Sequence, residues 1–517
     1  MGGVLFIAEQ FVHNLDNVLT NGVTIIISNS EFLYNSALTG GVIYTDHESI
    51  EVYASNFSNN QAKDNGGVIC TYGDHAEIYT SYFTTNTASN YGGVIYAISH
   101  IVLSGSEFMG NSAQTGGVIY TILENLEVHA CNFTNNQAKD SGGAIYTYGD
   151  HAEIYTSYFT NNTAQVGGVI YTVLENLEVH ACNFTKNQAK DNGGVFYTTR
   201  GTVEIHGSDF MCNLAQIIGG VIFIAHSDAM ISENKFMSNS AQYGGVLYAF
   251  ESNTTIQETL TESNSAMEAG IVVLAGGILN SVESSFINNN AHSLLALTGC
   301  QAMFSGSTNF TNNIGSLGIL TSKVEFKGST IFFNNTPTLV PTTPVQEGGA
   351  LTIFQSTVTF NGTTKLSDNH AMNGGAMLAS ESSIFASGHL IVINNDASSS
   401  GGGIYLYQSR FDIKGSCKIE GNTAEDRGGG VYAISSAVIT QDDGLSGSSL
   451  LFIFNKVKLG GALFLQANSK LYTVLINANV KVHTVSFIEN IALNDGGAVY
   501  VADTCIDDTE DMSTPHL

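Results

Sequence analysis

The sequence predicts an all-β protein, a parallel β-helix in which each coil is one repeat of 25 or 26 residues. Three observations lead there. Phe32, Phe57, Phe83, Phe108, Phe133, Phe159, Phe184, Phe210 and Phe236 recur at that spacing; each has Asn three residues later (Asn35 to Asn239) and Ala two beyond that (Ala37 to Ala241). Apolar and polar residues alternate with period 2: Leu126, Val128 and Ala130 share one face, Glu127 and His129 the other. The composition is one of strands and turns, with 55 Gly, 28 Phe, 22 Tyr and 4 Pro in 517 residues. Helical repeats need i, i+3, i+4 patterning, leucine-rich repeats need their Leu-x-x-Leu-x-Leu frame, and propeller blades are longer. What remains is a coil of about three short strands, like residues stacking at ~4.8 Å per rung.

Each element of the repeat has a reason within that stack. Phe133, Phe159 and Phe184 face inward and pile on one another. Asn136, Asn162 and Asn187 take left-handed backbone at a corner and hydrogen-bond through their amides to the rungs above and below. Ala138, Ala164 and Ala189 are the small residues a tight corner admits. Gly142-Gly143 and its copies supply a bend of positive φ. After it, Ile119, Ile145 and Ile170 turn inward and Tyr120, Tyr146 and Tyr171 outward; the opposite facing satisfies the same alternation. Duplication built the array. Residues 116–140 and 167–191 differ only at Ile122/Val173 and Asn135/Lys186, and residues 69–84 and 145–160 only at Cys70/Tyr146.

Along the chain, residues 1–336 form one array, regular from about 23 to 250 and degenerate after. Residues 337–347, with Pro337, Pro341 and Pro344, are an insertion or a seam, because proline cannot donate to a ladder. Coils resume over residues 348–500, with a further loop near Gln441 to Ser449, and residues 501–517 are an acidic tail. The frame gives roughly 18 to 19 coils. The chain opens inside a Gly-Gly unit, without a signal-peptide pattern, which points to a piece of a longer protein. Open end rungs would allow end-to-end or lateral self-association.

A net charge of -28 with 17 basic residues argues against nucleic acid, an anionic membrane surface and polyanionic sugars. Cys131 and Cys182 fill one slot two repeats apart, about 9.6 Å at ~4.8 Å per rung, too far for a disulfide. No apolar run reaches the ~18 residues of a membrane-spanning helix.

Phe-x-x-Asn combined with Gly142-Gly143-Ala144-Ile145 resembles the repeat of chlamydial polymorphic outer-membrane proteins. The resemblance implies a right-handed, single-stranded parallel β-helix, an extracellular or cell-surface location and a part in adhesion. Two features depart from the family: Val mostly replaces Ala after Gly-Gly, and the chain ends on Asp507-Asp508-Thr509-Glu510-Asp511 instead of a translocator barrel.

Two outward stripes are the candidate binding surface: Glu51, Glu77, Glu127, Glu153 and Glu178 in one, Tyr53, Tyr79, His129, Tyr155 and His180 in the other. Calcium could bridge neighbouring carboxylates, and a sugar could lie along aromatic faces. A solvated face copied by duplication explains the same stripes. Glu178, His180, Glu204 and His206, on adjacent coils, suit zinc or copper, or are surface residues inherited from Glu-x-His copies. No catalytic residue is expected. A lyase needs a basic cluster, and Arg200 is alone in its neighbourhood. A hydrolase needs a carboxylate pair, whereas Asp74 and Asp150 lie three coils apart. The function expected is a non-catalytic, adhesin-like or structural stalk that meets surface proteins or glycans. The alternative is a carbohydrate-binding or carbohydrate-active β-helix protein of the pectate-lyase-like class. No cofactor is expected beyond such a calcium or zinc ion.

Overall fold

The computed structural model describes residues 5–7, 24–123, 125–173, 176–337, 347–442, 449–475 and 484–502, and this part is strand and turn without helix. It divides into two compact units, residues 1–252 and 253–517. Both wind as a parallel β-solenoid.

One coil of the first unit contains strands Ile119–Ile122, Leu126–His129, Asn132–Thr134 and Gln137–Ala138. Each pairs in parallel with its own copy one repeat later: Ile119 with Ile145, Leu126 with Ala152, Phe133 with Phe159. The coil therefore has four strands, not about three. After the Asn corner the chain straightens for two residues, enough for Gln137 N–H to donate to Asn111 O at 2.9 Å on the preceding rung.

In-register pairing sets every side chain against its own counterpart. Phe57 to Phe210 are buried in one column, and successive rings from Phe57 to Phe236 stack with centroids 4.8 to 5.0 Å apart. Burying each ring stabilises the fold by about 2–3 kcal/mol. Ile119, Ile145 and Ile170 are wholly buried, while Tyr120, Tyr146 and Tyr171 face outward and are half-buried.

The left-handed corner is not at the ladder Asn, as the sequence reading had it, but one residue earlier: Asn135 has φ 56°, Asn161 φ 54° and Lys186 φ 56°. The preceding residue makes the turn, and this leaves Asn136 free to aim its amide into the stack. Its backbone N–H and Nδ2 both donate to Asn162 Oδ1 at 3.0 Å, and Nδ2 also donates to Phe108 O at 2.9 Å. Nine Asn, from Asn35 to Asn239, form this ladder.

A second buried ladder runs through Ser55, Ser81, Ser106, Cys131, Ser157, Cys182 and Ser208. Cys131 and Cys182 stand in it where other coils have Ser. Both thiols are free, and burial pushes them up to about 11 and about 12. At the Gly pair, Gly142 has φ 67°. A Cβ on Gly143 would lie 2.1 Å from Gly168 O, so the backbones of adjacent coils touch there.

The second unit keeps the Asn ladder, from Asn264 to Asn490, with nine members spaced 22 to 35 residues apart. Asn369, Asn395 and Asn422 belong to it although Leu366, Val392 and Ile419 replace the Phe. Pro341 and Pro344, and all but the ends of the Gln441 to Ser449 loop, lie outside the described residues.

Candidate functional site

The stripes sit on one strand of each coil in the first unit: Ser49–Tyr53, His75–Tyr79, His100–Ser104, Leu126–His129, His151–Tyr155, Asn176–His180 and Thr202–His206. Their inner positions, such as Val52, Ile78, Leu103, Val128, Ile154 and Val179, are wholly buried. Period 2 then turns the intervening residues to solvent. Register aligns Glu51, Glu77, Val102, Glu127, Glu153, Glu178 and Glu204 in one column. The second column holds Tyr53, Tyr79, Ser104, His129, Tyr155, His180 and His206.

Neighbouring carboxylates at this spacing repel by about 1 kcal/mol in a water-like dielectric. The adjacent column offsets this with donors. Tyr53 Oη donates to Glu51 Oε2 at 2.9 Å, and Tyr79 Oη to Glu77 Oε2 at 2.8 Å. The bond to Glu51 raises Tyr53 above the usual phenol range. Burial, and after it the bond to Glu77 or Glu153, pushes Tyr79 and Tyr155 up to about 12. Glu127 lies between two imidazoles, His100 Nε2 and His129 Nε2, each 3.5 Å away.

Where its rings stack, the aromatic column does not offer its faces to a ligand. Tyr53 stacks on Tyr79 with centroids 5.2 Å apart, and Tyr155 is sandwiched between His129 at 5.2 Å and His180 at 4.9 Å. A sugar laid along the stripe meets ring edges, because the faces look along the stacking direction at one another. The column breaks at Ser104, beside Tyr79.

Glu178, His180, Glu204 and His206 occupy adjacent rungs, with Glu178 paired to Glu204 and His180 to His206. They do not converge. The two imidazoles are 6.0 Å apart and tilted by 52°; His180 Nε2 is 3.6 Å from Glu178 Oε2, while His206 Nε2 points to Glu233, 3.9 Å away. The donors that do converge are His151, Glu153 and Glu178, all within 4.8 Å of one another. His151 went unnoticed in the sequence, although the signal was present. It stands two residues before Glu153, hence on the same face, as His75 does before Glu77.

A third outward column contains Tyr96, Tyr120, Tyr146, Tyr171, Tyr197, Phe223 and Tyr248, stacked with centroids 4.7 to 5.9 Å apart. The sequence placed Tyr120, Tyr146 and Tyr171 outward but gave the column no role. Desolvation pushes Tyr120 and Tyr171 up to about 12.

The profile of the Chlamydia polymorphic membrane protein repeat matches residues 54–72, 80–98, 130–148, 156–173 and 484–502. Each span contains the ladder Phe, the ladder Asn and the Gly pair of its coil. No curated protein and no solved structure matches the chain. Among the described residues, no helix is long and apolar enough to cross a membrane. The ladders and the profile agree on the same residues: five coils of this parallel β-solenoid are similar to the Chlamydia polymorphic membrane protein repeat.

Proposed function

We propose that this chain is a non-catalytic, surface-associated repeat protein, adhesin-like in action, whose outward columns meet other surface proteins. One observation carries the reading. The Tyr96 to Tyr248 column is half-buried and braced by stacking, so its edges and hydroxyls stand in fixed positions. Rigid tyrosines give large amphipathic contact area at little entropic cost, which suits protein recognition. Catalysis needs one coil that departs from its neighbours, whereas these columns repeat. The test is adhesion of beads coated with the chain to cells. Binding should fall after trypsin treatment of the cells, and in a variant carrying Tyr120→Ser, Tyr146→Ser and Tyr171→Ser. Wild-type beads that fail to adhere, or adhesion indifferent to both changes, would overturn the reading.

Glycan binding is the second reading, and the break at Ser104 favours it. Tyr79 and His129 flank that rung, about 9.6 Å apart over two rungs, with Ser104 in the slot between them. The break leaves one ring face of Tyr79 and one of His129 without a ring against it, the kind of surface on which a pyranose stacks. A glycan array decides: binding abolished by Ser104→Tyr supports the gap, and an array without signal removes it.

A further inference from the structure

We propose that His151, Glu153 and Glu178 bind one first-row transition dication, Zn2+ or Cu2+, on the outer face of the first unit. His151 Nε2 lies 2.8 Å from Glu153 Oε1 and 3.7 Å from Glu178 Oε1. A tetrahedral ion with bonds of about 2.0–2.1 Å holds its donors roughly 3.3 Å apart. The two separations bracket that value, so small side-chain rotations close the site. The backbone beneath is fixed, because His151–Tyr155 and Asn176–His180 are paired in register over their whole length.

The donor set selects the metal. Calcium and magnesium take six or more oxygens, and one imidazole with two carboxylates supplies neither that number nor that hardness. Imidazole with carboxylate suits zinc and copper, leaving a fourth position for water. His180 stands on the far side of Glu178. The Glu178 Oε2 is 3.6 Å from His180 Nε2, an atom shut off from solvent that makes no hydrogen bond. Once the rotation that seats the ion brings Oε2 within hydrogen-bond reach, His180 becomes a positioning residue in the second layer around it.

The duplicated copy supplies the contrast. Residues 69–84 repeat 145–160 almost unchanged, so His75 and Glu77 stand as His151 and Glu153 do. On the next rung, however, Val102 occupies the slot that Glu178 fills. The copy lacks the third ligand, and His75 Nδ1 instead meets Ser49 Oγ at 3.1 Å.

Titration of the full chain with ZnCl2 and with CuCl2 in a non-coordinating buffer tests this, read by calorimetry and by Cu2+ electron paramagnetic resonance. One saturable equivalent is expected, with nitrogen coupling in the copper spectrum, and no competition from CaCl2. His151→Gln and Glu178→Gln should each weaken binding at least tenfold, His180→Gln about tenfold, and His75→Gln not at all. Circular dichroism establishes that each variant keeps its strands. Absence of saturable uptake, uptake that survives both His151→Gln and Glu178→Gln, or equal losses in His75→Gln and His151→Gln would overturn the site.

Discussion

The ring of Tyr155 lies flat on that of His180, with centroids 4.9 Å apart and planes 8° from parallel. On its other face it meets His129 at 5.2 Å. Register sets the three residues in one slot on successive coils, and their rotamers turn the rings face to face. The stack converts a row of surface side chains into a braced wall of edges. Tyr155→Ala removes both contacts and should cost about 1–2 kcal/mol. Tyr155→Phe keeps them, loses only the bond to Glu153, and should cost less than about 1 kcal/mol. Urea unfolding of the two variants beside the parent chain measures the difference, and equal losses would count against the stack.

The Asn ladder makes a larger demand. Asn136→Ala deletes two side-chain donations, and it strands the N–H of Asn111 and one hydrogen of its Nδ2, which donate to Asn136 Oδ1, while Nδ2 keeps its bond to Phe83 O. These groups are buried. A loss of about 3–5 kcal/mol is expected, since a buried polar group left unpaired costs roughly 1–3 kcal/mol. A melting midpoint within a degree of the parent would show that the ladder is dispensable.

Asn135 and Lys186 are one of the two differences between the copies at 116–140 and 167–191, and both have φ 56°. Asn tolerates left-handed backbone far better than Lys. Lys186→Asn should therefore stabilise the first unit by roughly 0.5–1 kcal/mol, and Asn135→Lys should destabilise it by a similar amount. Opposite signs in chemical denaturation are the decisive result.

In the second unit, Glu347 is buried with its Oε1 3.2 Å from His292 Nε2, while its Oε2 makes no hydrogen bond. Burial pushes the carboxyl from its ordinary 4.5 up to about 8 and lowers the imidazole. The folded chain thus keeps a proton that the unfolded chain releases. For Glu347, stability is fullest below about pH 4.5 and falls as pH rises toward 8. His292 acts in the opposite sense, costing stability only below its unfolded value. Glu347→Gln should raise the melting temperature at pH 8, by on the order of 2 kcal/mol in stability, and change it little at pH 4.5. An equal effect at both pH values would show that the carboxyl does not titrate there.

Much of the fold was legible because one spacing reports one physical fact. Strands paired in register put residues 25 or 26 apart in contact, so nine Phe and nine Asn announce their columns directly. At Asn369, Asn395 and Asn422 the Asn ladder was hidden, because Leu366, Val392 and Ile419 fill the inner slot as well as Phe does. Cys131 and Cys182 read as one slot two repeats apart, too distant for a disulfide. Their place in a Ser ladder emerges only when the N–H of each is seen bonded to Ser157 and Ser208.

By itself, then, the sequence determined which residues share a column, since periodicity and alternation are properties of the backbone ladder. The Phe-x-x-Asn-x-Ala repeat and the Gly pair needed nothing more. Only the tertiary structure decided how the side chains of those columns meet. It moved the left-handed turn to Asn135, turned the faces of Tyr155 onto two imidazoles, and brought His151 across to Glu178 while parting His180 from His206. Those outcomes depend on side-chain rotamers and on the lateral distance between slots of neighbouring coils, and a repeat period carries neither.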